Sequence, residues 1–209
     1  MPQHVITRRF RSRARIITAA ASSAAVVVIV GGAIAIAVSG GPRDGILVAY
    51  LVTVLAIAGL VGSFAGITAR HARTLRALAR RHPDDVVFLA RRLPPVVSDL
   101  PAFLRAKGLD VQIGDGWYAA LADRRGISVH SPGREPRELL LIEWAEIGDL
   151  AMVRTPTVGG DSRWSVTVDV RPYDVPLTVD LGGAAGIVTM TLDAGDTASV
   201  VRAVEARRP

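Results

Sequence analysis

The side chains able to do chemistry are few and scattered. Four histidines, His4, His71, His82 and His130, are the only imidazoles. A serine or threonine nucleophile needs a positioned base, and three of the four lie in or beside the strongly apolar N-terminal part. Only His130 falls well inside the more polar remainder, before Ser131-Pro132, where it reads as a surface residue at a loop entry. There is no cysteine, which excludes thiolate catalysis, disulfides and Cys-based metal sites. No His-x-x-x-His pair or carboxylate cluster has ligand spacing, so no metal, no cofactor and no catalytic residue is expected. Gly182-Gly183-Ala184-Ala185-Gly186 lacks the dinucleotide spacing and joins strand to strand, where that fingerprint needs strand to helix. It reads as a turn, as does Gly159-Gly160-Asp161.

Charge is divided sharply along the chain. Residues 1–83 hold 11 Arg against Asp44 alone, and residues 84–209 hold 14 Lys+Arg against 18 Asp+Glu, giving +10 and −4 and the overall +6. A nucleic-acid binder concentrates positive charge on its folded domain. Here the cations flank apolar segments instead, which argues against nucleic acid and for anionic lipid. Lys107 is the only lysine, a bias that fits a bacterial genome rich in G and C.

Two runs lack any charge, 16–38 and 46–69. At 1.5 Å per residue each spans about 35 Å, enough for a hydrocarbon core of roughly 30 Å. Residues 39–45 (Ser-Gly-Gly-Pro-Arg-Asp-Gly) link them as a turn and force an antiparallel hairpin. Arg8, Arg9, Arg11, Arg13 and Arg15 precede the first span, and Arg70, Arg73, Arg76, Arg80 and Arg81 follow the second. By the positive-inside rule the turn is external and both termini are cytoplasmic, in a multi-pass protein of the plasma membrane. Ala35-Ile36-Ala37 imitates a signal-peptidase site, but the apolar run exceeds a signal-peptide core.

Neither span contains an ionisable side chain, so the hairpin predicts an anchor, since proton or ion pathways normally need such groups at mid-membrane. Gly59, Gly62 and Gly66 have the spacing of close helix approach, expected within the hairpin. Residues 70–83 extend the helix as a basic juxtamembrane segment with Leu75, Leu78 and Ala79 opposite the arginines, and Pro83 ends it.

Beyond it, residues 84–116 read as a strand (Val86 to Ala90) and a short helix with Pro101 in its first turn and Ser98 as cap. From residue 117 the period becomes two. Trp117, Ala119 and Leu121 alternate, then Leu140, Ile142 and Trp144. Trp164, Val166, Val168 and Val170 follow, then Val175, Leu177, Val179 and Leu181, and finally Val188, Met190 and Leu192. Six or seven antiparallel strands with one solvated face are expected, with the three tryptophans dominating the core. Asp193 and Asp196 fit the N-cap and N3 of a final amphipathic helix carrying Val200, Val201 and Val204.

A curved antiparallel sheet closed by one C-terminal helix resembles the pleckstrin-homology-like fold, including bacterial PH and GRAM-type domains. Gly126-Ile127-Ser128-Val129 and Trp144-Ala145-Glu146-Ile147 resemble the "Gly-Ile" strand and the "Trp-x-x-Ile" strand entry of bacterial members, which are often tethered to N-terminal transmembrane helices. The resemblance covers residues 117–209 and implies a binding module for protein or lipid. It also points to Arg124, Arg125, Arg134 and Arg137 as a possible ligand loop, diluted by Glu135, Glu138, Glu143 and Glu146.

The expected class is therefore a two-helix membrane hairpin, with residues 1–15 as a basic cytoplasmic N-terminus, followed by an α+β PH-like domain. Its expected function is non-enzymatic presentation of that domain to a membrane-associated protein or to lipid. The alternatives are a membrane-bound enzyme and a small accessory subunit acting through its Gly-rich hairpin.

Overall fold

The uncharged runs fold as helices, and the helices outrun them. In the computed structural model, which describes residues 8–38, 43–92, 100–111, 113, 116–156, 162–171, 173, 175–185 and 188–209, α1 runs Arg8–Val38 and α2 runs Arg43–Arg81. Each is long and apolar enough to span a membrane. The basic residues from Arg8 onward are helical, and α2 takes up Arg43-Asp44-Gly45, read from sequence as part of the turn; Gly45 alone costs a helix only about 1 kcal/mol. The rest of that turn, 39–42, lies outside the described residues. No break separates span from arginine stripe in the 39 residues of α2. Pro83 then bars another turn.

The helices meet through a face other than the one expected. Tyr50 Oη of α2 donates to the Ile29 carbonyl of α1 at 2.6 Å, and a Cβ on Gly32 would strike the Tyr50 ring. Val54, Ile57, Val61 and Ala65, each partly buried, continue this seam along α2. A Cβ at Gly59, Gly62 or Gly66 would meet nothing within 4 Å. At 100° per residue these three glycines fall on the side of α2 opposite the seam, so Gly32 is the glycine that permits close approach.

The rest of the chain is one curved antiparallel sheet of eight strands. They are β1 Val86–Arg92, β2 Trp117–Ala122, β3 Gly126–His130, β4 Glu138–Glu143, β5 Ile147–Pro156, β6 Ser162–Val170, β7 Val175–Ala185 and β8 Val188–Thr191. Their order is β4-β3-β2-β1-β7-β6-β5, with β8 on β7. Helix α3, Leu100–Ala106, follows β1, and α4, Ala194–Glu205, closes the chain. Segment 84–116 thus supplies an interior strand, paired on both sides with β2 and β7. Its unbroken apolar run suits that place, because Val86 and Phe88 face the main core while Val87 and Leu89 face α2.

The main core lies between the inner face of the sheet and α3 and α4, with Phe103, Val170 and Val200 almost fully buried. Asp193 caps α4, its carboxylate accepting from Asp196 N at 2.9 Å, as the sequence predicts. Ser98 and Gly159-Gly160-Asp161 lie outside the described residues.

Two readings are corrected. Gly182 to Ala185 form no turn; they extend β7 and pair with β8. The glycines there make room for rings, Trp117 over Gly182 and Phe10 over Gly183. Of the tryptophans, only Trp144 is buried in the main core, its Nε1 donating to Asp123 O at 2.8 Å. Trp117 packs towards α2, and Trp164 stacks under Arg154 with the guanidinium 5.5 Å from the ring centre. With β5 the strands from residue 117 number seven, within the expected six or seven, although alternation does not reveal β5. It is an edge strand, its residues alternate only weakly between buried and exposed, and its register slips between Ile147 and Leu150.

Candidate functional site

The arginine stripe turns outward because the other side of the helix is occupied. Leu75 and Leu78 pack on Val87, Leu89, Ala119 and Leu121 of the sheet, so Arg70, Arg73, Arg76, Arg80 and Arg81 are all exposed. Thr68, His71 and Thr74 repeat at intervals of three on the packed side and are buried.

Those polar residues hold one loop of the sheet. Gly133 N donates to Thr74 Oγ1 at 2.9 Å, the Thr74 hydroxyl lies 3.1 Å from Gly133 O, and Arg70 Nη2 donates to Pro132 O at 3.2 Å. The β3–β4 loop is thereby fastened to α2 within five residues of the end of the uncharged run, about 7.5 Å along the axis. Arg134 and Arg137, which the loop carries, are exposed. Two segments distant in sequence thus meet at one level, where α2 leaves its apolar stretch.

The other half of the expected ligand loop is elsewhere. Arg124 and Arg125 sit in the β2–β3 turn, separated from the β3–β4 loop by the five residues of β3, about 17 Å. Arg125 is also committed, to Asp123 at 3.1 Å and Glu138 at 2.7 Å. The four arginines therefore form two separate groups. On α1, Arg13 lies 3.5 Å from Asp193 at the start of α4, and Arg15 is exposed. The side chains of Arg8, Arg9 and Arg11 lie outside the described residues. Nothing in the sequence of the loop itself announces its docking; the signal is on α2, where Thr68, His71 and Thr74 share a side with Leu75 and Leu78.

His130 is not a surface residue. It ends β3, is 6% exposed, and its Nε2 lies 2.9 Å from Ser128 Oγ. That is the spacing of a nucleophile and its base, but Ser128 is 1% exposed on the α2 side of the sheet and closed to a substrate. Burial lowers the His130 pKa, with Glu138 opposing and His82 and Arg125 adding to the shift. A folded-state pKa below the unfolded value means that the unfolded chain binds the proton more readily. Stability is then full above about pH 6.5 and is lost as pH falls towards the folded pKa. His130→Gln is expected to flatten this dependence, read as the thermal midpoint of the full chain in detergent between pH 7.5 and 5.5. An equal slope in the variant would assign the effect to another group.

Between the inner face and α4 lies a cavity of about 100 Å³, lined by apolar side chains such as Phe88, Ile127, Leu140, Leu177 and Val200. No cluster of His, Asp or Glu suited to a metal occurs among the described residues. No family model matches this chain, and no curated protein is similar to it.

Proposed function

We propose that this chain is a non-enzymatic integral membrane protein, with both termini cytoplasmic, that holds a PH-like binding module rigidly against the inner leaflet. The docking of the β3–β4 loop on α2 carries this reading. It fastens the loop that carries Arg134 and Arg137 to the part of α2 that carries Arg70 and Arg73, and each arginine close to an anionic leaflet could gain about 1 kcal/mol. The curved antiparallel sheet with its C-terminal helix supports the PH-like assignment. Arg80 and Arg81 stand about 15 Å further along the helix, beyond a Debye length of about 8 Å, and act through topology alone. Holding the module at the surface raises its effective concentration for membrane-associated protein partners, and its solvent-facing side is where such a partner binds.

Hydrogen exchange of residues 131–137 tests the leaflet contact in nanodiscs of phosphatidylcholine, with and without phosphatidylglycerol. Exchange is expected to slow about fivefold with the anionic lipid, to stay fast in Arg134→Gln/Arg137→Gln, and to be unaffected by Arg80→Gln/Arg81→Gln. Identical exchange in both discs would remove the lipid half of the proposal. For the protein half, crosslinked pull-downs from native membranes compare the full chain with one ending at residue 83. Partners lost on truncation identify the module as the recruiting part, and unchanged partners would leave only the hairpin.

A further inference from the structure

The face of the sheet that carries α2 continues beyond the helix as a polar surface over β6, β7 and β1. At its centre Asp180 is fully buried, although the two arginines beside it reach solvent. Its Oδ2 lies 2.8 Å from Arg91 Nη2 and 2.9 Å from Arg163 Nε, and its Oδ1 accepts from Ser165 Oγ at 2.7 Å. Ser165 Oγ in turn accepts from Thr155 Oγ1 at 2.9 Å. The register explains the convergence. Arg91 is the direct partner of Asp180 across β1 and β7, and Val166 pairs with Val179 on β6 and β7, which places Ser165 opposite Asp180 and Arg163 on the diagonal.

One buried carboxylate needs one cation, and this one has two. The pair leaves a net charge of +1 in a setting where the arginines are held, since both touch the same oxygen. Their contacting nitrogens can be no further apart than those 2.8 and 2.9 Å contacts laid end to end. Arg91 is fixed further by stacking 5.1 Å above the ring centre of Trp117. That ring rests on Gly182, where a Cβ would strike it. Each guanidinium has five N–H donors; Arg91 Nη2 donates to Asp180, while Arg163 Nε is ion-paired at 2.9 Å but makes no hydrogen bond. The two side chains are 31% and 25% exposed, so each guanidinium-bearing side chain is partly open to solvent, and among the described residues no acceptor other than Asp180 engages either one.

We propose that Arg91 and Arg163, splayed over Asp180, form a preorganised site for a phosphate group. Guanidiniums arriving from strands on either side of β7 suit a tetrahedral anion with oxygens on several sides better than one planar carboxylate. The ordering of two long side chains, normally a cost of binding, is already met by Asp180 and Trp117. Asp180 is a positioning residue that never touches the ligand.

The test uses the full chain in detergent micelles at constant ionic strength, set with sodium chloride. Inorganic phosphate is titrated and its 31P line width followed; a second arm uses the soluble short-chain lipid dihexanoyl phosphatidate. Saturable broadening by either probe is expected, weakened at least tenfold in Arg163→Gln and in Arg91→Gln and unchanged in Arg124→Gln. Broadening by inorganic phosphate identifies a freely diffusing phosphate as sufficient, and broadening by phosphatidate alone identifies a lipid headgroup. Full-strength binding in either arginine variant that still folds, or the absence of saturable broadening with both probes, would overturn the site. Equal competition by acetate would overturn its preference for phosphate.

Discussion

Replacing Phe10 by Ala is expected to destabilise the sheet domain by about 3–5 kcal/mol, the usual cost of removing a buried aromatic ring. The residue stands among the arginines of the N-terminal segment, yet it is 1% exposed and belongs to the main core. Its ring lies on Gly183 of β7, with ring atoms 2.8–3.1 Å from where a Cβ would be. Ala14, one helical turn further on, is equally buried. The first helix therefore supplies part of the core of a domain whose first strand begins at Val86. Thermal unfolding of the full chain in detergent measures the effect. A midpoint within a degree of the parent would mean that Phe10 does not plug the sheet, and the domain would then be independent of α1.

Gly126→Ala is expected to cost about 3 kcal/mol. Gly126 has φ +155°, and a Cβ built on it runs into the Ile142 carbonyl and the backbone of Glu143 on β4. Backbone cannot swing aside as a side chain can, so the β3–β4 pairing would have to open. Denaturant titration of the variant, followed by the fluorescence of Trp144, reads the loss, because Trp144 N donates to Arg125 O beside this turn. Exposed Gly108, with φ +67° and nothing near its Cβ position, provides the comparison. Its alanine variant bears conformational strain without a clash and should lose less. Equal losses at the two positions would show that strain, and not the β4 backbone, governs Gly126.

The contrast between these glycines illustrates what could be read in the sequence. Alternation from Trp117 onward and the 3.6-residue period around Val200 sufficed for most strands of the sheet and for its final helix, though not for β5. The Gly-Ile and Trp-x-x-Ile signals stand at the close β3–β4 crossing and at the entrance to β5. Long-range matters escaped. Whether a glycine run such as Gly182-Gly183 turns or accommodates rings depends on Trp117 and Phe10, which are far away in the chain. The arginines of the suspected ligand loop are close in number but sit at opposite ends of β3, since the short strand between them extends the backbone. His130 looked like a loop residue because its burial comes from packing against another part of the chain. The Asp180 cluster was invisible for a related reason. Arg91, Arg163 and Asp180 are brought together only by the order β1-β7-β6, which no local pattern encodes.

The unbroken course of α2 has a mechanical consequence. A helix of 39 residues is about 58 Å long, and between Gly66 and Pro83 it contains neither glycine nor proline to serve as a hinge. The sheet is clamped to the same rod that is long and apolar enough to cross a hydrocarbon core. A span longer than the local bilayer accommodates by tilting, and a tilt of this rod carries the sheet through the same angle. With α2 in a bilayer, the sheet domain is therefore geared to membrane thickness, so that thinning the bilayer would reorient the faces it presents without any change inside its fold.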